Sequence, residues 1–75
     1  QFIVDAKIEL EEFISFFNLK IDPLTVDAET LGGLFISEFG VLPEIEDKIN
    51  IETLAVKVSD TDGRRIKKFV VTTNS

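Results

Sequence analysis

Carboxylates crowd two short stretches of this chain and basic groups crowd a third. Glu44, Glu46 and Asp47 follow Pro43, and Asp60 and Asp62 precede Gly63. Hard cations such as Mg²⁺ and Ca²⁺ take oxygen ligands of this kind. Asp60-Thr61-Asp62-Gly63 reads like the start of a calcium loop. Its glycine comes too early, however, and the twelfth position from Asp60 is Val71 rather than Glu, which excludes an EF-hand. The five acids are candidate ligands for a weakly held Mg²⁺ or Ca²⁺, and the simpler reading is a solvated acidic surface. Arg64, Arg65, Lys67 and Lys68 can bind phosphate. They can equally pair with carboxylates across a sheet and keep its edges from aggregating, which is the preferred reading.

Covalent catalysis has no apparatus here. Nucleophilic catalysis needs a nucleophile and an activating base, and Ser15, Ser37 and Ser59 have no histidine to pair with. With no Cys either, disulfides, thiolates and the usual zinc ligands are absent. The chain is expected to be no enzyme and to carry no cofactor beyond a loosely bound cation. The Gly32-Gly33 pair lacks the strand, loop and spacing of a nucleotide fingerprint and reads as a helix packing site. The seven Phe, with no Trp or Tyr beside them, are assigned to packing.

The 75 residues suffice for one domain with one core. Net charge is −6 but unevenly spread. Residues 1–63 hold all fourteen acids and four lysines, net −10, whereas residues 64–75 hold four basic groups and no acid. That acidic majority disfavours nucleic acid as a partner. No apolar run approaches the ~20 residues of a membrane span, so no direct membrane insertion is expected. Beginning at Gln1, the chain reads as a segment of a longer protein.

The elements that must position these groups follow from periodicity. Phe2-Ile3-Val4 reads as a short buried strand. Leu10, Phe13, Ile14 and Phe17 form the stripe of a helix from about Glu9 to Phe17, with Asn18 as a left-handed stop. Asp22-Pro23 opens a loop, and Asp27 is the expected N-cap of a second helix buried through Leu31, Leu34, Phe35 and Phe39. Gly32 and Gly33 cost that helix about 1 kcal/mol each, which close approach of another backbone would offset. Gly40 and Pro43 end it. Ile49 and Ile51, then Leu54, Val56 and Val58, alternate as strands with a turn at Glu52-Thr53. Ala55 and Lys57 fall on the opposite, exposed sheet face. Asp62-Gly63 signals a type I′ hairpin or a close relative. Ile66 shares a face with Phe69 and Val71 only if a bulge lies near Lys67-Lys68. Thr72–Ser75 are expected to fray. The order β-α-α-β-β-β predicts an α+β two-layer sandwich, with two helices on one face of a mostly antiparallel four-stranded sheet. The pattern leaves strand order open.

Several of these segments together resemble the transporter-associated domain of CorC/HlyC-type proteins over nearly the whole chain. They are Phe2–Ala6, Leu10–Phe13, Thr30–Leu34, Phe39–Pro43, and the run Asp62-Gly63-Arg64-Arg65-Ile66 with Phe69 and Val71. Ala6 and Glu46 stand where that family commonly has glycine, and a side chain at position 46 disfavours a φ > 0 turn before Asp47. The resemblance implies a fold similar to half of a flavin-oxidase FAD-binding domain, without implying a flavin. It also implies a bacterial membrane parent with CBS modules, of the kind called magnesium/cobalt efflux or haemolysin-like. This domain would then lie on the cytoplasmic side of the cell membrane. It would act by docking on the CBS and membrane domains of its parent, or on its own copy in a homodimer. The alternatives are a divalent-cation sensor using Glu44–Asp47 or Asp60–Asp62, and a nucleotide-binding module using Arg64 and Arg65.

Overall fold

A computed structural model of the chain describes residues 1–73. Strand β1 (Phe2–Asp5) leads to helix α1 (Leu10–Phe17), and helix α2 (Leu31–Phe39) follows a short 3₁₀ turn at Pro23–Thr25. Strands β2 (Lys48–Ile51), β3 (Leu54–Thr61) and β4 (Ile66–Thr73) complete one sheet in the order β1-β4-β3-β2. Every pairing is antiparallel. Both helices cover the same face. Leu10 and Phe13 of α1 join Leu31, Leu34 and Phe35 of α2 in one core with Leu54, Val56, Val58, Phe69 and Val71 of the sheet. The rings of Phe35 and Phe69 lie 5.1 Å apart across the two layers. The expected α+β sandwich is therefore the observed one. Ala55 and Lys57 lie half-buried on the face turned away from the helices.

The chain between β1 and the helices is pinned by main-chain bonds. The Asp5 carboxylate accepts from the Lys7 N–H at 2.8 Å, and the Asp5 carbonyl accepts from the Ile8 N–H at 3.1 Å, so the first turn closes. Leu10 N–H then donates to the Glu29 carbonyl at 2.8 Å, and Leu31 N–H to the Ile8 carbonyl at 3.1 Å. These bonds fix where α2 starts. Its N-cap is Thr30, whose hydroxyl accepts from the Gly33 N–H at 3.1 Å, and not Asp27. Asp27 falls before the clip, where the chain is not yet free to turn helical. The Gly32 N–H donates to the Ala6 carbonyl at 3.0 Å. A Cβ at Gly32 would sit 3.1 Å from that same oxygen. This is the close backbone approach that the glycine allows. At Gly33 the nearest atoms stand 3.4 Å away, an ordinary contact.

The ends of the helices behave as their residues dictate. Asn18 (φ 54°) and Gly40 (φ 90°) are both left-handed caps. In the sheet, Ile66 reaches the core because the β3–β4 register slips twice, once past Ser59 and once past Lys67, which is the bulge expected near Lys67-Lys68.

Besides the cap of α2, four expectations change. β1 is not buried but lies at the sheet edge, with Ile3 74% exposed. The apolar run signalled a strand correctly, and its burial depended on strand order. The β3–β4 connection is not a type I′ turn across Asp62-Gly63, because Gly63 (φ 90°) is left-handed and Asp62 is not. Thr72 and Thr73 belong to β4, paired with Ala55 and Leu54, rather than fraying; Asn74 and Ser75 lie outside the described residues. Glu46 takes φ 82° in spite of its side chain. The tertiary bonds on either side of it hold the backbone there.

Candidate functional site

The first acidic stretch is a closed turn. The Asp47 carboxylate accepts from the Glu44 N–H at 2.8 Å, and the Asp47 N–H donates to the Glu44 carbonyl at 3.1 Å. Glu46 N–H donates to the Val58 carbonyl at 3.0 Å, and Val58 N–H to the Asp47 carbonyl at 2.8 Å. The turn thereby continues the β2–β3 ladder. Glu46 also approaches the Lys57 ammonium at 3.3 Å. Pro43 is buried at the base of this segment.

Asp62 organises the second stretch. One oxygen of its carboxylate accepts from the Arg64 N–H at 2.9 Å and the Arg65 N–H at 2.8 Å. These two bonds, ahead of the Arg65 and Lys67 charges, hold its carboxyl below the ordinary value of 3.8. Thr61 Oγ1 accepts from the Gly63 N–H at 3.1 Å and donates to the Arg65 carbonyl at 3.0 Å. The Asp62 side chain thus serves the hairpin.

Both stretches lie at the same end of β3, since Glu46 and Asp47 bond Val58 and Asp60 is two residues further on. Yet among the described residues no three of Asp, Glu, His or Cys come together as metal ligands. A surface depression of about 670 Å³ has Glu9, Glu11, Asp27, Glu29 and Lys7 on its rim, and its acids do not converge either. The basic strand also differs from expectation. Lys68 stands in register with Asp5 and Asp60, but the ion pair found among the described residues is Lys57–Glu46. Arg64, Arg65, Lys67 and Lys68 stay exposed. The N–H groups of Gly32 and Gly33, which a phosphate would need, are spent on Ala6 and Thr30.

The feature that sequence reasoning missed is apolar. Between β1 and α1 runs an open groove of about 510 Å³ lined by Phe2, Ile3, Val4, Ile8, Phe16 and Phe17, with Asp5 and Lys7 also on its lining. Phe16 is 68% exposed and Phe2 42%. Their rings meet edge-to-face at 5.7 Å, and Phe17 meets Phe2 at 5.3 Å and Phe16 at 4.8 Å. Assigning all seven rings to packing was therefore wrong for these two. The signal was present in the sequence: Phe17 continues the stripe of Leu10, Phe13 and Ile14, whereas Phe16, about 100° from Phe17 on the same helix, falls at the border of that stripe. Val41, Leu42 and Ile45, close in sequence in the loop after α2, are exposed as well.

With this geometry in view, comparison with known proteins is decisive about kinship. The family model of the CorC_HlyC transporter associated domain matches residues 1–75. The chain belongs to that family. It is 38% identical over 71 residues to a magnesium and cobalt efflux protein CorC from Buchnera aphidicola subsp. Acyrthosiphon pisum, a match covering 95% of this chain and 24% of that protein. It thus spans about a quarter of the length of the curated relatives it matches. A solved CorC_HlyC domain from Haemophilus ducreyi superposes with a TM-score of 0.87 at 22% identity, covering 99% of this chain and 96% of that one. A Xylella fastidiosa haemolysin domain in complex with Mg²⁺ and Mn²⁺ superposes at 0.84 and 23% identity, covering 97% and 86%.

Proposed function

We propose that this chain is a non-catalytic accessory domain of a longer divalent-cation transport protein, and that it modulates transport by docking. The observation that carries this reading is the distribution of its surface. The Asp47 and Asp62 carboxylates are used in turns, while Phe2, Ile3, Phe16, Val41, Leu42 and Ile45 are left open to solvent. Contiguous exposed apolar residues on a small domain mark interaction surfaces. The parent would resemble the magnesium and cobalt efflux relatives, with CBS and membrane domains elsewhere in its chain and this domain on the cytoplasmic side. No helix among the described residues is long and apolar enough to cross a membrane. Docking regulates transport if the interface is tighter in one transport state than in another, because a contact shifts an equilibrium only by its differential affinity.

A second reading is favoured by one observation, the neighbour crystallised with Mg²⁺ and Mn²⁺. In that reading Glu44, Glu46 and Asp47, or Asp60 and Asp62, hold a cation and report it to the transporter. Amide NMR of this chain during titration with Mg²⁺, Ca²⁺ and Mn²⁺ at constant ionic strength separates the two. The docking reading expects diffuse shifts that do not saturate. Saturable shifts confined to either acidic turn would favour the sensor.

A further inference from the structure

We propose that the free edge of β1 is a self-association surface, on which a second copy pairs its own β1 antiparallel about Ile3 to make one continuous eight-stranded sheet. The main chain is the first argument. Ala6 N–H donates to the Lys67 carbonyl, and the β1–β4 ladder keeps that register through Val4↔Phe69 and Phe2↔Val71. Antiparallel ladders bond alternate residues. Phe2 and Val4 therefore spend their groups on β4, and the N–H and C=O of Ile3 point to the open edge.

Side chains and charge identify the occupant. An antiparallel pair centred on Ile3 sets Ile3 against the second copy's Ile3, and Phe2 against the second copy's Val4. Asp5 then faces the second copy's Gln1, so no like charges are opposed. Ile3 shares its sheet face with Val70, and pairing covers the most exposed apolar side chain of the strand. On the helix side, the second copy's Phe2 and Val4 come up beside the groove in which Phe2 meets Phe16 and Phe17. The chain is acidic as a whole, but here Asp5 is balanced by Lys7 and by Lys68, its register partner.

The other edge is built differently. β2 exposes Lys48 and Asn50 and packs close to α2. A charged, partly covered edge resists strand addition, whereas β1, apolar from Phe2 to Val4 and charged only at its end in Asp5, invites it. The apolar area at β1 is small, which places the contact at the low end of interface sizes, below about 1,200 Å² in total, and makes the association weak. This inference deepens the docking reading by naming one occupant. Self-association is measured on this chain and transport on the full-length protein, so the two fail separately.

The test is sedimentation equilibrium of the chain from about 10 µM to 1 mM, a range chosen for a contact this small, with amide exchange at Ile3. The mass should rise toward twice 8.4 kDa, and Ile3 exchange should slow as it does. Ile3→Lys should stay monomeric, as should Ile3→Pro, which removes the outward N–H without touching the β4 ladder. Ile45→Lys, in the loop after α2, should associate like the parent sequence. A monomer throughout, an Ile3 amide unprotected in the dimer, or a dimer that survives Ile3→Lys overturns the proposal. Equal loss in Ile45→Lys does so as well.

Discussion

Two adjacent glycines show how differently one residue type is used. Gly32 has the Ala6 carbonyl where its Cβ would be, at 3.1 Å, and donates its N–H to the same oxygen. Backbone cannot step aside as a flexible side chain does. Gly32→Ala should destabilise by about 1–3 kcal/mol. Gly33→Ala meets only ordinary contacts and gains helix propensity, so it should be neutral or stabilising by up to about 1 kcal/mol. Urea unfolding of the two variants measures the difference, and equal losses would refute the packing account of Gly32. Glu46 offers the converse case. A non-glycine residue at φ 82° carries about 1–2 kcal/mol of strain, and its exposed pair with Lys57 returns at most about 1 kcal/mol. Glu46→Gly should therefore leave stability unchanged or raise it slightly. Asp62 adds a pH dependence. Its folded carboxyl titrates below its ordinary value, so its contribution is fully present above the unfolded pKa. That contribution is lost as pH falls through the folded one. Urea midpoints should drop below about pH 4, and by less in Asp62→Asn. A decline of equal depth in that variant would remove Asp62 from the explanation.

At the scale of elements, the sequence was legible where the cause is local. The α1 stripe of Leu10, Phe13, Ile14 and Phe17, the stops at Asn18 and Gly40, and the bulge that admits Ile66 to the core all follow from residue type and parity. Misreadings arose where a distant bond decides. The start of α2 is set by the clip between residues 8–10 and 29–31, which no window around Asp27 contains. The burial of β1 depends on its being the outer strand of the order β1-β4-β3-β2. The acidic turns looked like ligand sets because a carboxylate bonded to main-chain N–H groups and one awaiting a cation have the same sequence. Thr30→Ala should cost about 1 kcal/mol, the usual worth of a cap. Asp27→Ala should stay within about 0.5 kcal/mol. Thermal unfolding of both variants checks the assignment, and a reversed order would return the cap to Asp27.

As a whole molecule the described chain has a radius of gyration of 11.2 Å, close to the ~11 Å of a compact unit of this length. Its shortest extent of 18 Å fits one helical layer on one sheet. Two layers leave the far sheet face and the β1 edge with no covering of their own, and those surfaces are what a longer protein can use. Phe13, Phe35 and Phe69 are buried and hold the domain together, while Phe2 and Phe16 stay exposed and are the contact residues of the proposed docking. Family membership fixes the fold and the kinship with relatives called magnesium and cobalt efflux proteins, and the docking proposal rests on the surface. The most direct test of the proposed function assays the full-length protein at matched expression for Mg²⁺ and Co²⁺ efflux, the activity proposed from its relatives. It compares the natural sequence with Ile3→Lys, Phe16→Lys and Leu42→Lys, and with Asp47→Asn and Asp62→Asn. Docking predicts altered efflux in at least one apolar-patch variant and natural rates in the carboxylate variants. Unchanged efflux in all three patch variants, with loss in either carboxylate variant, would contradict it.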